Sequence, residues 1–186
     1  MPKTQYYTAT TIDGFIADEQ NSLDWLFVVD RGTDPGSEFE EFIADVGAMA
    51  MGATTYEWIL AHYGPHEDRE KWRADYGERP CWVFTHRDLP AIPGANLTFV
   101  QGDVRPVHAQ MSEAADGRNI WLVGGGDLVG QFADRGLLDE ILLGVAPVTL
   151  GAGAPLLPRR LTSSELELVK VDRYGQFARL VYRVRT

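Results

Sequence analysis

Asn119-Ile120-Trp121-Leu122-Val123-Gly124-Gly125-Gly126-Asp127-Leu128 is the stretch from which the fold is read. Its apolar core, Ile120 to Val123, suits a strand buried on both faces. Three glycines follow, and Leu128 to Ala133 then read as a helix with Gly136 beyond its end. A buried strand that passes through bare backbone into a helix gathers free N–H groups and the positive end of the helix dipole in one place. That arrangement binds phosphate. It serves equally as a tight strand-to-helix turn. The run is not a GxGxxG fingerprint and lies late in the chain, so a first-strand dinucleotide site is not expected.

Working outward, Ala48–Met51, Cys81–Phe84, Leu97–Val100 and Glu140–Val145 repeat the short buried-strand pattern, and Gln5–Ile12 is a Tyr- and Thr-rich strand. Helical patterns separate them. Ser37 with Glu40 forms a capping box ahead of Phe39, Phe42, Ile43 and Val46, with Gly47 as the expected stop. Thr54–Leu60 and the segment from Pro106, with Val107, Met111, Ala114 and Ala115 on one face, supply two more. Residues 18–36 read as a polar loop broken by an apolar run at 24–29, and 61–79 as a surface excursion. Leu166–Asp172 and Phe177–Val184 alternate around Tyr174-Gly175-Gln176 as an antiparallel hairpin. Buried strands interleaved with helices predict one domain over 1–186. Its class is α/β: three layers, a mostly parallel central sheet and a C-terminal hairpin.

The 186 residues carry 27 acids against 17 Lys and Arg, a formal net charge of −10. So acidic a surface is a poor match for nucleic acid or an anionic membrane. A small-molecule substrate is expected instead. One cysteine, Cys81, permits no internal disulfide and reads as a packing residue. With no apolar signal core and no long apolar run, a cytoplasmic protein is expected. The four histidines show no metal-ligand spacing, so no metal site is expected, and no Gly-x-Ser-x-Gly elbow is present.

Other residues have chemical potential. Gly52 ends a strand, and Thr54 and Thr55 open the next helix, where hydroxyls and amides suit a phosphate or simply cap the helix. Thr85-His86-Arg87 closes another strand; there an Arg fork pairs with a phosphate, or the segment is an ordinary polar loop. Asp24 and Asp30 flank the run around Trp25; in general an aromatic wall can raise a nearby carboxyl's pKa and suit it to relay a proton. A solvated loop acid is the plainer reading of each. Gly151-Ala152-Gly153-Ala154-Pro155 wraps a ligand or merely turns.

Taken in order, Thr11-Ile12-Asp13-Gly14-Phe15-Ile16-Ala17, Met51-Gly52-Ala53-Thr54-Thr55-Tyr56-Glu57, Val83-Phe84-Thr85-His86-Arg87, Trp121 to Leu128 and Leu138 to Gly153 resemble the dihydrofolate reductase-like superfamily. The nearest branch is the reductase domain of bifunctional riboflavin-biosynthesis enzymes and its stand-alone bacterial relatives. The resemblance implies an NADPH-dependent reductase that passes a hydride to a small heterocycle, a pteridine or the 5-amino-6-(5-phosphoribosylamino)uracil type. Gly52, Thr54 and Thr55 would face Gly124, Gly125, Gly126, Asp127 and Leu128 across the pyrophosphate. Thr85, His86 and Arg87 would meet the 2′-phosphate, and the Ala17 backbone the nicotinamide. An acid after a loop tryptophan assists protonation in this family. Here Trp25 would border the substrate, with Asp30 preferred on spacing over Asp24, and Glu38 as a further candidate. The family's basic residue after the Met-Gly pair is Ala53 here, which leaves Arg87 to compensate. The branch also implies a homodimer, for which the Trp and Tyr residues of 56–82 offer a surface. A non-catalytic nucleotide-binding or sensor domain, or a phosphate transferase or hydrolase, would use the same glycine turn. The latter two lack a lysine after Asp127.

Overall fold

The computed structural model describes residues 2–32, 37–63 and 68–185, with the Ser37 and Asp68 side chains outside the described set. In chain order the elements are β1 (Thr4–Thr11), β2 (Phe15–Ala17), α1 (Asp24–Phe27), α2 (Ser37–Ala44), β3 (Val46–Gly52), α3 (Ala53–Tyr63), α4 (Asp68–Tyr76), β4 (Cys81–Phe84), β5 (Leu97–Val100), α5 (Val104–Ala114), β6 (Asn119–Gly124), α6 (Gly126–Asp134), β7 (Glu140–Ala146), β8 (Ala154–Pro155), β9 (Leu166–Tyr174) and β10 (Phe177–Val184). The main sheet runs β5-β4-β3-β6-β1-β7-β10-β9. Its first six strands are parallel, and β10 and β9 add antiparallel at one edge.

Helices cover both faces, and each face has its own core. Strand alternation sends neighbours to opposite sides. Tyr6 packs with Leu122, Phe132 and Met111, whereas Tyr7 borders Phe42, Met49 and Trp121. The three-layer, mostly parallel fold with a C-terminal hairpin is as the sequence predicted.

Several local expectations are corrected. Gly47 does not end a helix: α2 stops at Ala44, and Gly47 lies within β3. A Cβ there would sit 2.2 Å from the Ala115 carbonyl, so the glycine serves close approach of a strand to the end of α5. Residues 61–79 are not simply surface, because α4 carries a fully buried Trp72 into the core. Its polar composition hides a single inward stripe. The capping role expected of Ser37 rests on a side chain outside the described residues. Tyr56, Trp72 and Trp82, expected to be exposed, are buried. Exposed apolar groups cluster instead on edge strand β9, at Leu168, Val169 and Val171, with Ile12, Phe27, Val28 and Phe99 exposed elsewhere. No helix of the described residues is long and apolar enough to cross a membrane.

Candidate functional site

Parallel strands end level at their carboxyl edge, and the sequence motifs fall there in a row. Met51 is in register with Gly124, and Gly52 with Phe84, which precedes Thr85. With strands about 4.8 Å apart, the row from β6 through β3 to β4 spans about 10 Å. Gly52 and the glycine run touch: a Cβ on Gly52 would lie 3.7 Å from the Gly125 nitrogen, and one on Gly124 would lie 3.7 Å from the Thr55 hydroxyl. The Gly124–Gly125 peptide is cis, and Gly124 has φ +138°. Gly125 is the N-cap of α6, with no side chain to satisfy the first-turn amides. The cradle is therefore bare backbone beside the Thr55 hydroxyl.

Beyond the cradle opens a chamber of about 670 Å³. Ala17, Thr54, Thr55, Gly124, Gly125, Gly126 and Asp127 border it. Gly52 lies just outside, and Leu128 is buried in the core. Asp127 is bonded by Arg159 and Gln131. The Thr85–Arg87 turn also lies off the chamber. Thr85 Oγ1 accepts from the Arg87 amide at 2.9 Å, His86 meets Gln101 at 3.1 Å, and Arg87 pairs with Glu57 of α3 at 2.9 Å.

The far side of the chamber is aromatic and charged. Tyr7, Phe39, Trp121 and Tyr76 line it, with Phe27 and Trp58 stacked 6.2 Å apart. Glu38 of α2 forms an ion pair with Arg179 of β10, both mostly buried. Asp75 accepts a 2.5 Å hydrogen bond from Tyr63, whose phenol is pushed up by burial and then by that carboxylate. Arg31 also borders the space.

The acids chosen by spacing sit elsewhere. Asp24 and Asp30 are exposed and neither borders the chamber. The Asp30 carboxylate accepts from the Gly32 amide, and its carbonyl accepts from Gln176 in the hairpin turn. Trp25 is off the chamber too, with its indole N–H buried and unpartnered among the described residues. Glu38 and Asp75 are the carboxylates on the aromatic wall. Arg179 had a readable signal: it shares the inward face of β10 with Phe177 and Val181, an unusual place for a cation. Asp75 had none, because nothing in the sequence aims α4 at the site.

Two loops close the near side. A Cβ on Gly126 would lie 2.4 Å from the Pro155 and Leu156 carbonyls, and one on Gly153 2.1 Å from the Ala17 carbonyl. The 150–155 segment is thus packed onto the cradle rather than being a free turn. Asp13 ties it down: its carboxylate accepts from Thr11 Oγ1 at 2.5 Å, from the Gly151 amide at 2.7 Å and from the Leu150 amide at 3.0 Å. These bonds, Thr11 first, hold the Asp13 pKa below its ordinary value. A depressed carboxyl stabilises above the unfolded aspartate pKa of about 4 and loses that contribution as pH falls through its folded value. Protection of the Leu150 and Gly151 amides against hydrogen exchange, taken relative to the intrinsic rate at each pH, is expected to be high at neutral pH and to fall as acid protonates Asp13. In Asp13→Asn it is expected to be low throughout. Equal protection in wild type and variant would remove the tether.

The family model described as the RibD C-terminal domain matches residues 2–179. A Bacillus subtilis (strain 168) protein, the uncharacterised YwjB, is 31% identical over 182 residues, covering 97% of both chains. A protein from Shewanella sp. PV-4, proposed to act in riboflavin biosynthesis, superposes with a TM-score of 0.78 at 23% identity over 99% of each chain. Enterococcus faecalis dihydrofolate reductase, solved with NADP(H), superposes at 0.58 and 14% identity, over 99% of this chain and 97% of that one.

Proposed function

We propose, since the chain belongs to the RibD C-terminal domain family, that it is an NADPH-dependent reductase of a small heterocyclic substrate. Family and fold are those of reductases. One observation carries the finer reading: an uncapped helix start, a threonine hydroxyl and a surface arginine share a sheet edge, and that edge opens into an aromatic chamber of about 670 Å³.

The residues fit the cofactor. The α6 amides and the Thr55 hydroxyl suit a pyrophosphate, since backbone donors and a helix dipole meet where no side chain intrudes. Arg87, two strands away at the end of β4, suits a 2′-phosphate. The Ala17 carbonyl, against which Gly153 packs closely, would orient a carboxamide ring. When bound, NADPH supplies the hydride; the chain's part is to hold donor and acceptor at contact distance and keep water out. A chamber this large supports turnover of a second molecule over nucleotide sensing alone. Its rings favour a planar heterocycle, of pteridine or aminouracil type.

Calorimetry with NADPH and NADH tests this. Wild type is expected to prefer NADPH. Arg87→Ala is expected to bring the two affinities within about threefold by weakening NADPH about tenfold, the size of one charged contact. Failure of wild type to bind either dinucleotide at millimolar concentration ends the reductase reading.

A further inference from the structure

We propose that the Tyr7 hydroxyl donates the hydrogen bond, and then the proton, to the heteroatom of the substrate bond being reduced. This rests on the reductase reading. The buried tyrosines spend their hydroxyls inside the protein: Tyr6 donates to the Leu156 carbonyl at 3.1 Å, Tyr56 to the Pro90 carbonyl at 2.7 Å and Tyr63 to Asp75 at 2.5 Å. Tyr7 borders the chamber, and its hydroxyl has no hydrogen-bond partner among the described residues. Tyr7 is half-buried, so its hydroxyl can meet what the chamber holds, and as a donor that none of the described residues engages it is free to pair with a ligand acceptor there.

Its aim is fixed. The ring stacks on Phe42 at 4.3 Å and 17°, and Trp121 meets it edge-on at 6.4 Å. The Tyr7 carbonyl accepts from the Trp121 indole at 3.1 Å. The residue sits on β1, beside the β6 strand that ends in the glycine cradle, and β1 leads through Thr11 to Ala17. It therefore stands on the aromatic wall of the chamber, on the strand that leads to Ala17.

The surroundings keep the proton on the phenol. Burial, and next the Glu38 carboxylate of α2, push Tyr7 up to about 12. Tyr174 of β9 adds to this, while Arg179 of β10 and Arg31 oppose it. Glu38 itself is held by Arg179, and Asp75 by Tyr63, so each of these carboxylates already has a partner. In the step, a C=N or C=O carbon takes the hydride of a dihydronicotinamide and the heteroatom takes the Tyr7 proton. The double bond becomes single, the nicotinamide is oxidised, and the phenolate regains a proton from water.

The experiment follows the ring-carbon resonance of [13Cζ]-tyrosine, assigned to Tyr7 by its loss in Tyr7→Phe. Two ring compounds, 5-amino-6-(5-phosphoribosylamino)uracil and a 7,8-dihydropteridine, are added to wild type with NADP+ present. The resonance is expected to shift with at least one. Tyr7→Phe is expected to oxidise NADPH about 100-fold more slowly with that compound, the usual scale for losing a general acid, with NADPH affinity unchanged. A resonance unmoved by both compounds, or wild-type turnover by Tyr7→Phe, overturns the proposal. Absence of NADPH binding to wild type would instead remove the reductase reading on which it rests.

Discussion

Gly125→Asp is expected to weaken NADPH binding at least about 100-fold while shifting the melting temperature by no more than a few degrees. The site permits the side chain. Gly125 has φ −80° and ψ 179°, an extended conformation open to any residue. Its Cβ would meet only the tip of Ile16, at 3.9 Å. What changes is the chemistry of the cradle. As N-cap, an aspartate accepts from the first-turn amides of α6, a bond that stabilises the helix. Those are the donors assigned to the pyrophosphate, so the carboxylate occupies them and also repels the phosphates. A 100-fold loss is about 2.7 kcal/mol, within reach of lost charged hydrogen bonds plus repulsion. Gly126 would be a poorer choice, because its Cβ collides with two carbonyls and a folding defect would obscure the binding defect. Calorimetry beside a thermal melt separates the two effects. Near-wild-type affinity in a folded Gly125→Asp protein would move the cofactor away from this turn.

How much of the site was legible in the sequence depends on the range of each signal. The glycine run, the Gly52–Thr55 junction and the Thr85–Arg87 turn were legible because each joins a strand to the next element within a few residues. Parallel pairing then carries such junctions to one edge of the sheet without further instruction. Gly47 misled because a glycine after a helical pattern is ordinarily its stop. The true cause, the Ala115 carbonyl, lies 68 residues downstream. The acids misled for the same reason. Asp24 and Asp30 lie close to Trp25 along the chain, but the loop carrying them lies against the hairpin turn at Gly175 and Gln176. Glu38 and Asp75 reach the aromatic wall because α2 and α4 pack on one face of the sheet. One side chain helps hold both helix ends. Arg79 donates to the Ile43 carbonyl at 2.7 Å, to Tyr76 at 2.9 Å and to Val46 at 2.9 Å. A guanidinium bound to carbonyls that were unrelated in sequence leaves no pattern to read.

The Glu38–Arg179 pair is where stability and the chamber meet, and Glu38→Leu is expected to cost about 2 to 3 kcal/mol. The two side chains are only 16% and 22% exposed, and the Arg179 Nε already lacks a partner among the described residues. Removing Glu38 strands a guanidinium against Phe177 and the aromatic wall. Deleting one partner of a buried pair usually costs about 3–5 kcal/mol, because the surviving charge remains desolvated. The lower figure is expected because water entering the chamber can reach the arginine. Removing both charges should restore stability. Glu38→Leu with Arg179→Met leaves no orphaned charge and is expected to regain most of the loss, since an apolar replacement of a buried pair is often neutral. Denaturant unfolding of wild type, both single variants and the double variant closes the cycle, with the double variant expected to lose at least about 2 kcal/mol less than the two singles summed. Salt should change it little, as the pair is largely shielded from solvent ions. Additive single effects would mean that the two charges do not sense each other, and α2 would then be held over the chamber by Phe39 and Phe42 packing on Tyr7 and Trp121 alone.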